Sequence, residues 1–128
     1  MLIIRTEQIQ HFIAKNDAEL NRLIAQALRE ANPERIADYD DEKLSAMIQI
    51  GIERAKSHDI ERAEDIGAFV ALMFEIAPNF DEQDEIKIVL ADTNFPVSDR
   101  LAQLWERTSD EAWEKAEQNY KSDVWFRA

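Results

Sequence analysis

Residues 51–80 read Gly51-Ile-Glu-Arg-Ala-Lys-Ser-His-Asp-Ile, then Glu61-Arg-Ala-Glu-Asp-Ile-Gly-Ala-Phe-Val, then Ala71-Leu-Met-Phe-Glu-Ile-Ala-Pro-Asn-Phe. A helix ends in the first block. The polar turn from Lys56 to Arg62 follows, and Ala63 or Glu64 opens a second helix. Ile66, Phe69, Val70, Leu72, Met73, Phe74, Ile76 and Ala77 make that second helix apolar nearly all round, as a helix buried by several neighbours must be. Pro78 stops it, because the residue before a proline avoids the α region. Phe80 is placed to fold back beneath its end. Gly51 and Gly67 both fall inside helices, where each costs on the order of 1 kcal/mol relative to alanine. Close approach of a crossing helix is the expected compensation.

Outward from this stretch the pattern stays helical. Upstream, Asp40 or Asp41 caps a helix whose buried face is Leu44, Met47, Ile48, Ile52 and Ala55. Pro33 to Tyr39 forms a short turn. A first helix begins at Thr6 and carries Ile9, Phe12, Ile13, Leu20, Leu23, Ile24, Ala27, Leu28 and Ala31, with a bend or second N-cap at Asn16 and Asp17. Downstream, Asp81-Glu-Gln-Asp-Glu opens a short helix with Ile86, Ile88, Val89 and Leu90. After Phe95-Pro96 comes a last long helix with Leu101, Leu104, Trp105, Thr108 and Ala112 on one face. Ser109 re-caps a segment carrying Trp113, Ala116 and Tyr120. Two glycines and three prolines are few for a chain of many turns, so the elements are few and long. No long run alternates strictly between apolar and polar residues. The expected fold is all-α: one compact bundle of about five to six helices around a buried central helix at 63–77. One domain spans residues 1–128, with 109–128 as a projecting C-terminal helix and aromatic tail.

Charge narrows the function classes. The net charge is −12, from 27 acidic and 15 basic residues, and such a surface repels phosphate backbones and anionic membranes. Nucleic acid and membrane are therefore not expected as partners; the charge reads first as a soluble, self-repelling surface and second as a surface matched to a basic partner protein. No cysteine is present, which excludes disulfides and thiolate-ligated metals. The opening Met1-Leu-Ile-Ile-Arg-Thr-Glu lacks the layout of a signal peptide, and no apolar stretch reaches the length of a membrane span. A cytoplasmic location is the expectation.

Catalytic signals are sparse. His11 and His58 have no second imidazole at metal-ligand spacing, and no glycine-rich phosphate loop or nucleophile elbow occurs. His58-Asp59 beside Ser57 reads as a solvated or capping turn, since adjacency in sequence is not a catalytic geometry. No cofactor, metal or catalytic residue is assigned, and the chain is read as non-enzymatic, with a small enzyme as the distant alternative. Two acidic clusters, Asp38, Asp40, Asp41, Glu42 and Asp81, Glu82, Asp84, Glu85, sit at expected helix starts, where carboxylates complement the helix dipole. Contact with a basic partner or a weak divalent cation is their second reading. Phe12, Phe69, Phe74, Phe80 and Trp105 read as core. Trp113, Trp125 and Phe126 read equally as core and as partner anchors, and Tyr120 joins the anchor set, because tryptophan and tyrosine are favoured at interfaces.

Ile50-Gly-Ile-Glu-Arg-Ala, Asp59-Ile, Glu64-Asp-Ile-Gly-Ala-Phe-Val-Ala-Leu-Met-Phe and Pro78-Asn-Phe-Asp resemble a family of small helical proteins. These are encoded in bacterial type VI secretion clusters, beside spike (VgrG), PAAR-tip and toxin genes. Ile4-Arg-Thr-Glu-Gln-Ile-Gln-His-Phe is similar to that family's start, and Leu90-Ala-Asp with Pro96 and Arg100-Leu to its end. The resemblance covers roughly residues 3–105. It implies a non-enzymatic accessory protein, expected to be an adaptor or chaperone that binds a toxin effector or a spike or PAAR component. An immunity protein that neutralises a toxin is the alternative. The partner-binding candidates are Trp113, Tyr120, Trp125, Phe126, Asp40, Asp41, Asp81, Glu82, Asp84 and Glu85.

Overall fold

Every residue from Asp65 to Asp81 is buried in the computed structural model, which describes residues 16–31 and 33–126. Among these residues the fold is all-helical, with six α-helices: α1 Asp17–Ala31, α2 Asp41–Ser57, α3 Ala63–Glu75, α4 Asp84–Leu90, α5 Val97–Arg107 and α6 Asp110–Gln118. Two 3-10 turns, Phe80–Glu82 and Ser122–Phe126, complete it. The expected helix start at Thr6, with His11, Phe12 and Ile13, lies outside the described residues.

The central helix is α3. Helices α1 and α2 pack against it and against each other, and α5 covers a further side. Helix α4 pairs with α5, while α6 lies on α4 and on the turn at 80–82. Phe69, Val70, Leu72 and Met73 of α3 are fully enclosed. Phe80 does fold back under the helix end, its ring centroid 4.9 Å from that of Phe69. Burying side chains of this size stabilises by about 1.5–3 kcal/mol each. That is the main reason a helix without a polar face is stable here.

Local signals set the element ends. Asn16 caps α1, its Oδ1 accepting from the Glu19 N–H at 2.9 Å. Asp40 caps α2 through the Lys43 N–H at 2.7 Å, and Ser109 caps α6 through Ala112 at 3.1 Å. The acidic run at 81–85 does not open one helix as expected. A 3-10 turn intervenes, and the side chain of Gln83 caps α4 by accepting from Ile86 N–H at 3.1 Å.

Gly51 is the crossing point of α2 on α3. A Cβ there would lie 2.9 Å from Val70 Cγ2 and 3.3 Å from Met73 Sδ. Val70 is branched at Cβ and has little freedom to yield. Gly51→Val is expected to destabilise by about 2–3 kcal/mol through overpacking, read as a lower urea midpoint at unchanged slope.

Helix α2 ends in a Schellman motif. Asp59 N–H bonds to the Lys56 carbonyl at 2.9 Å and Ile60 N–H to the Ala55 carbonyl at 3.3 Å. Ile60 and Ala55 are both buried, which supplies the apolar contact that accompanies this motif. Asp59 occupies its left-handed position with φ 64°, where glycine carries no Cβ penalty. Asp59→Gly is expected to raise stability by about 0.5–1 kcal/mol, measurable as a higher thermal midpoint.

Candidate functional site

Arg54 and His58 are one helical turn apart at the C-terminal end of α2, so their side chains share a face. The turn at 80–82 brings Asp81 to that face. Asp81 Oδ1 accepts from Arg54 Nε at 3.0 Å and from Arg54 Nη2 at 2.8 Å. Its Oδ2 lies 2.7 Å from His58 Nε2, which donates because an ionised carboxylate only accepts. Arg54 Nη2 also donates to Glu82 Oε2 at 2.8 Å. The His58 ring rests 5.5 Å from Phe69, so the network sits directly on the core.

The Asp81 side chain is 5% exposed. Burial raises its carboxyl, but hydrogen bonds from His58 and Arg54, together with the Arg54 charge, outweigh that and hold it below the ordinary carboxylate value. Arg54 is in turn held more basic than usual: burial opposes this, and the bonds and charges of Asp81 and Glu82 prevail. The arrangement is an ion-paired clamp joining α2 to the α3–α4 connection. Asp81 is therefore neither a helix-start carboxylate nor an exposed partner contact, because both of its oxygens are used inside the fold. Asp59, the neighbour that suggested a His–Asp pair, is exposed, and the partner of His58 is Asp81.

The aromatic candidates divide. Trp113 is 8% exposed and stacks on Trp105 with ring centroids 5.7 Å apart. Trp125 is 4% exposed, 4.6 Å from the Phe74 ring, and its Nε1 donates to the Tyr120 hydroxyl at 2.9 Å. The equal weighting of core and anchor thus resolves to core for both tryptophans. Segment 109–126 lies on the body instead of projecting from it, because Ala112, Trp113, Ala116, Val124 and Trp125 are apolar side chains that α2, α4 and the 80–82 turn cover. Tyr120 remains 47% exposed. The side chain of Phe126 lies outside the described part of the chain.

The other acidic candidates are on the surface. Asp41 pairs with Arg29 at 2.7 Å while its side chain stays 97% exposed. Asp38, Asp40 and Glu42 are exposed beside it. Asp84 is exposed, and Glu85, also exposed, accepts from the Ser109 hydroxyl at 3.0 Å. Glu82 lies at the rim, shared between Arg54 and, at 3.7 Å, Lys121. A further acidic face, not singled out in the sequence, is the outer side of α6, where Asp110, Glu111, Glu114 and Glu117 are all exposed. Among the described residues, no group of three His, Asp or Glu side chains is arranged to hold a metal ion, and no helix is long and apolar enough to cross a membrane.

Sequence reasoning also missed Asn79. It is buried at the end of α3, and its amide bonds to the backbone of Asn119 and of Lys121, both at 2.9 Å. The one available signal is that an asparagine follows Pro78 inside an otherwise apolar stretch. No family model, no curated protein and no solved structure matches this chain.

Proposed function

We propose that the chain is an acidic protein-binding module that docks a basic face of another protein, acting as an adaptor for a toxin effector or a spike or PAAR component of a type VI secretion cluster. The observation that carries this reading is where the −12 net charge resides. Exposed acids gather at Asp38, Asp40, Asp41 and Glu42 and again along α6 at Asp110, Glu111, Glu114 and Glu117. Such faces steer a basic partner into encounter and discourage acidic ones. The resemblance of residues 50–81 to accessory proteins of those clusters supplies the kind of partner. The anchors at Trp113 and Trp125 are withdrawn from this reading, and exposed carboxylates with Tyr120 take their place.

Co-expression with the neighbouring gene products tests it. The expected result is a complex that leaves the toxin's activity intact and weakens as salt rises. Glu114→Lys with Glu117→Lys is expected to weaken the complex about tenfold if α6 faces the partner, chiefly through a slower association. A complex that abolishes toxin activity would assign the immunity role and sink the adaptor reading.

A further inference from the structure

Asn79 ties the chain that follows α6 to the end of α3. Its Nδ2 donates to the Asn119 carbonyl and its Oδ1 accepts from the Lys121 N–H, both at 2.9 Å. Asn79 is buried, so these bonds are shielded from water and fix the backbone at 119–121. Val124 N–H bonds to the Lys121 carbonyl at 3.2 Å and holds that residue from its other side. Against this backbone lies a polar cavity of about 220 Å³, lined by Asn79, Glu82, Gln83, Ala116, Asn119 and Lys121.

The fold sets these walls in place before any ligand arrives. Glu82 Oε2 accepts from Arg54 Nη2 at 2.8 Å, which positions that carboxylate. Gln83 Oε1 accepts from the Ile86 N–H at 3.1 Å as the cap of α4. The cap takes the oxygen end of the amide, and the NH2 end remains as a pair of donors. The Asn119 carboxamide adds donors and an acceptor. Lys121 Nζ stands 3.7 Å from Glu82 Oε1, beyond hydrogen-bond distance, and both side chains are exposed. A pair this loose loses little when each member meets a further charged group.

Charge and size select the ligand. Among the described residues that line the cavity, Lys121 and Glu82 are the charged ones, one of each sign. A bare anion meets Glu82 and the field of a chain of net charge −12. A bare cation meets Lys121. A zwitterion finds an opposite charge at each end, its carboxylate on Lys121 with the Gln83 and Asn119 amides and its ammonium on Glu82. The cavity is smaller than the roughly 300–1,000 Å³ of sites for drug-sized ligands, so the ligand is small. Buried Ala116 supplies the apolar contact for a short side chain.

We propose that this cavity is a binding site for a small zwitterion, an α-amino acid with a short side chain. Bound there, the ligand joins the 80–82 turn, the cap of α4 and the segment after α6. The inference goes beyond the acidic-surface proposal, since it uses a cavity carrying both charges and not the exposed carboxylate faces, and its test needs no partner protein.

The test is a titration of the full, isotope-labelled chain with L-alanine, followed by nuclear magnetic resonance. Saturable shifts are expected at the Asn119 and Lys121 amides and at the Gln83 side-chain NH2, with a Kd on the order of 1 mM. Acetate and methylamine each carry one of the two charges and are expected to bind at least about tenfold more weakly. Lys121→Met and Glu82→Gln are each expected to weaken L-alanine binding at least about tenfold. Glu82→Gln keeps an oxygen for Arg54 and Lys121→Met keeps an apolar stem, so both are expected to fold. Shifts that stay linear to about 50 mM, or that scatter over the surface, overturn the proposal. Acetate binding as tightly as L-alanine makes the cavity a plain anion site and overturns the zwitterion. Unchanged affinity in both variants places the ligand elsewhere and overturns the site. The titration of the unaltered chain decides the matter even where a variant fails to fold.

Discussion

Asp81→Ala is expected to lower the unfolding free energy by about 3–5 kcal/mol, the range for removing one member of a buried ion pair. The loss exceeds that of a surface pair, worth about 0–1 kcal/mol, because His58 keeps its place against Phe69 without a carboxylate to meet it, and Arg54 is left with Glu82 alone. Asp81→Asn keeps the shape and one acceptor, so about half that loss is expected. The pH dependence separates charge from shape. The unfolded chain titrates this carboxyl near pH ~3.9, and the folded chain below its ordinary value. Above the unfolded value both states are ionised, and the full contribution is present. As pH falls the unfolded state takes up the proton first, so stability is lost until pH passes the folded value. Asp65 and Glu75 act in the opposite sense. Burial raises both despite Arg62 and Arg35 nearby, so they cost stability at neutral pH and release that cost on acidification. Urea midpoints measured from neutral pH down past pH ~4 are expected to fall less steeply in Asp81→Asn than in the wild type. Parallel profiles would remove Asp81 from the acid response.

The contrast between Asp81 and its neighbours shows what the sequence carries. Asp40 and Ser109 are legible as caps because capping joins residues three apart, and the pattern alone contains it. Gly51 is legible because a glycine inside an amphipathic helix needs a reason, and Val70 at 2.9 Å supplies one. Asp81 shares the acidic context of Glu82, Asp84 and Glu85, and the same dipole argument applies to all four. What sets it apart is that it returns to α2 across a separation of 27 residues from Arg54, which no local pattern encodes. The i, i+4 pairing of Arg54 with His58 is the trace such a clamp leaves: two basic side chains on one face at a helix end. Asn79 leaves less, since its partners are backbone groups of residues about forty positions away.

Trp125→Ala is expected to destabilise by about 3 kcal/mol, near the low end of the range for truncating a buried aromatic. The opposing expectation follows from the sequence, where a terminal Val-Trp-Phe among charged residues suits an exposed anchor, and loss of an exposed anchor changes stability by no more than about 0.5 kcal/mol. The reason for the larger value lies in the neighbours. The indole lies against Phe74 at the end of the central helix, and the turn that carries it packs on α2, so the alanine leaves a cavity bounded by helices that cannot collapse into it. Tyr120 also loses the donor its hydroxyl accepts from, although that hydroxyl is exposed enough to take water instead. Trp125→Phe fills most of the space and forfeits only the indole bond, so a loss of about 1 kcal/mol is expected. The two variants are read together as chemical unfolding midpoints. The cost is confined to a segment that closes onto a finished core, so α1 to α5 are expected to unfold as one cooperative transition in both variants. A broadened or biphasic transition in Trp125→Ala would show that the indole is needed to hold the six helices in one cooperative unit.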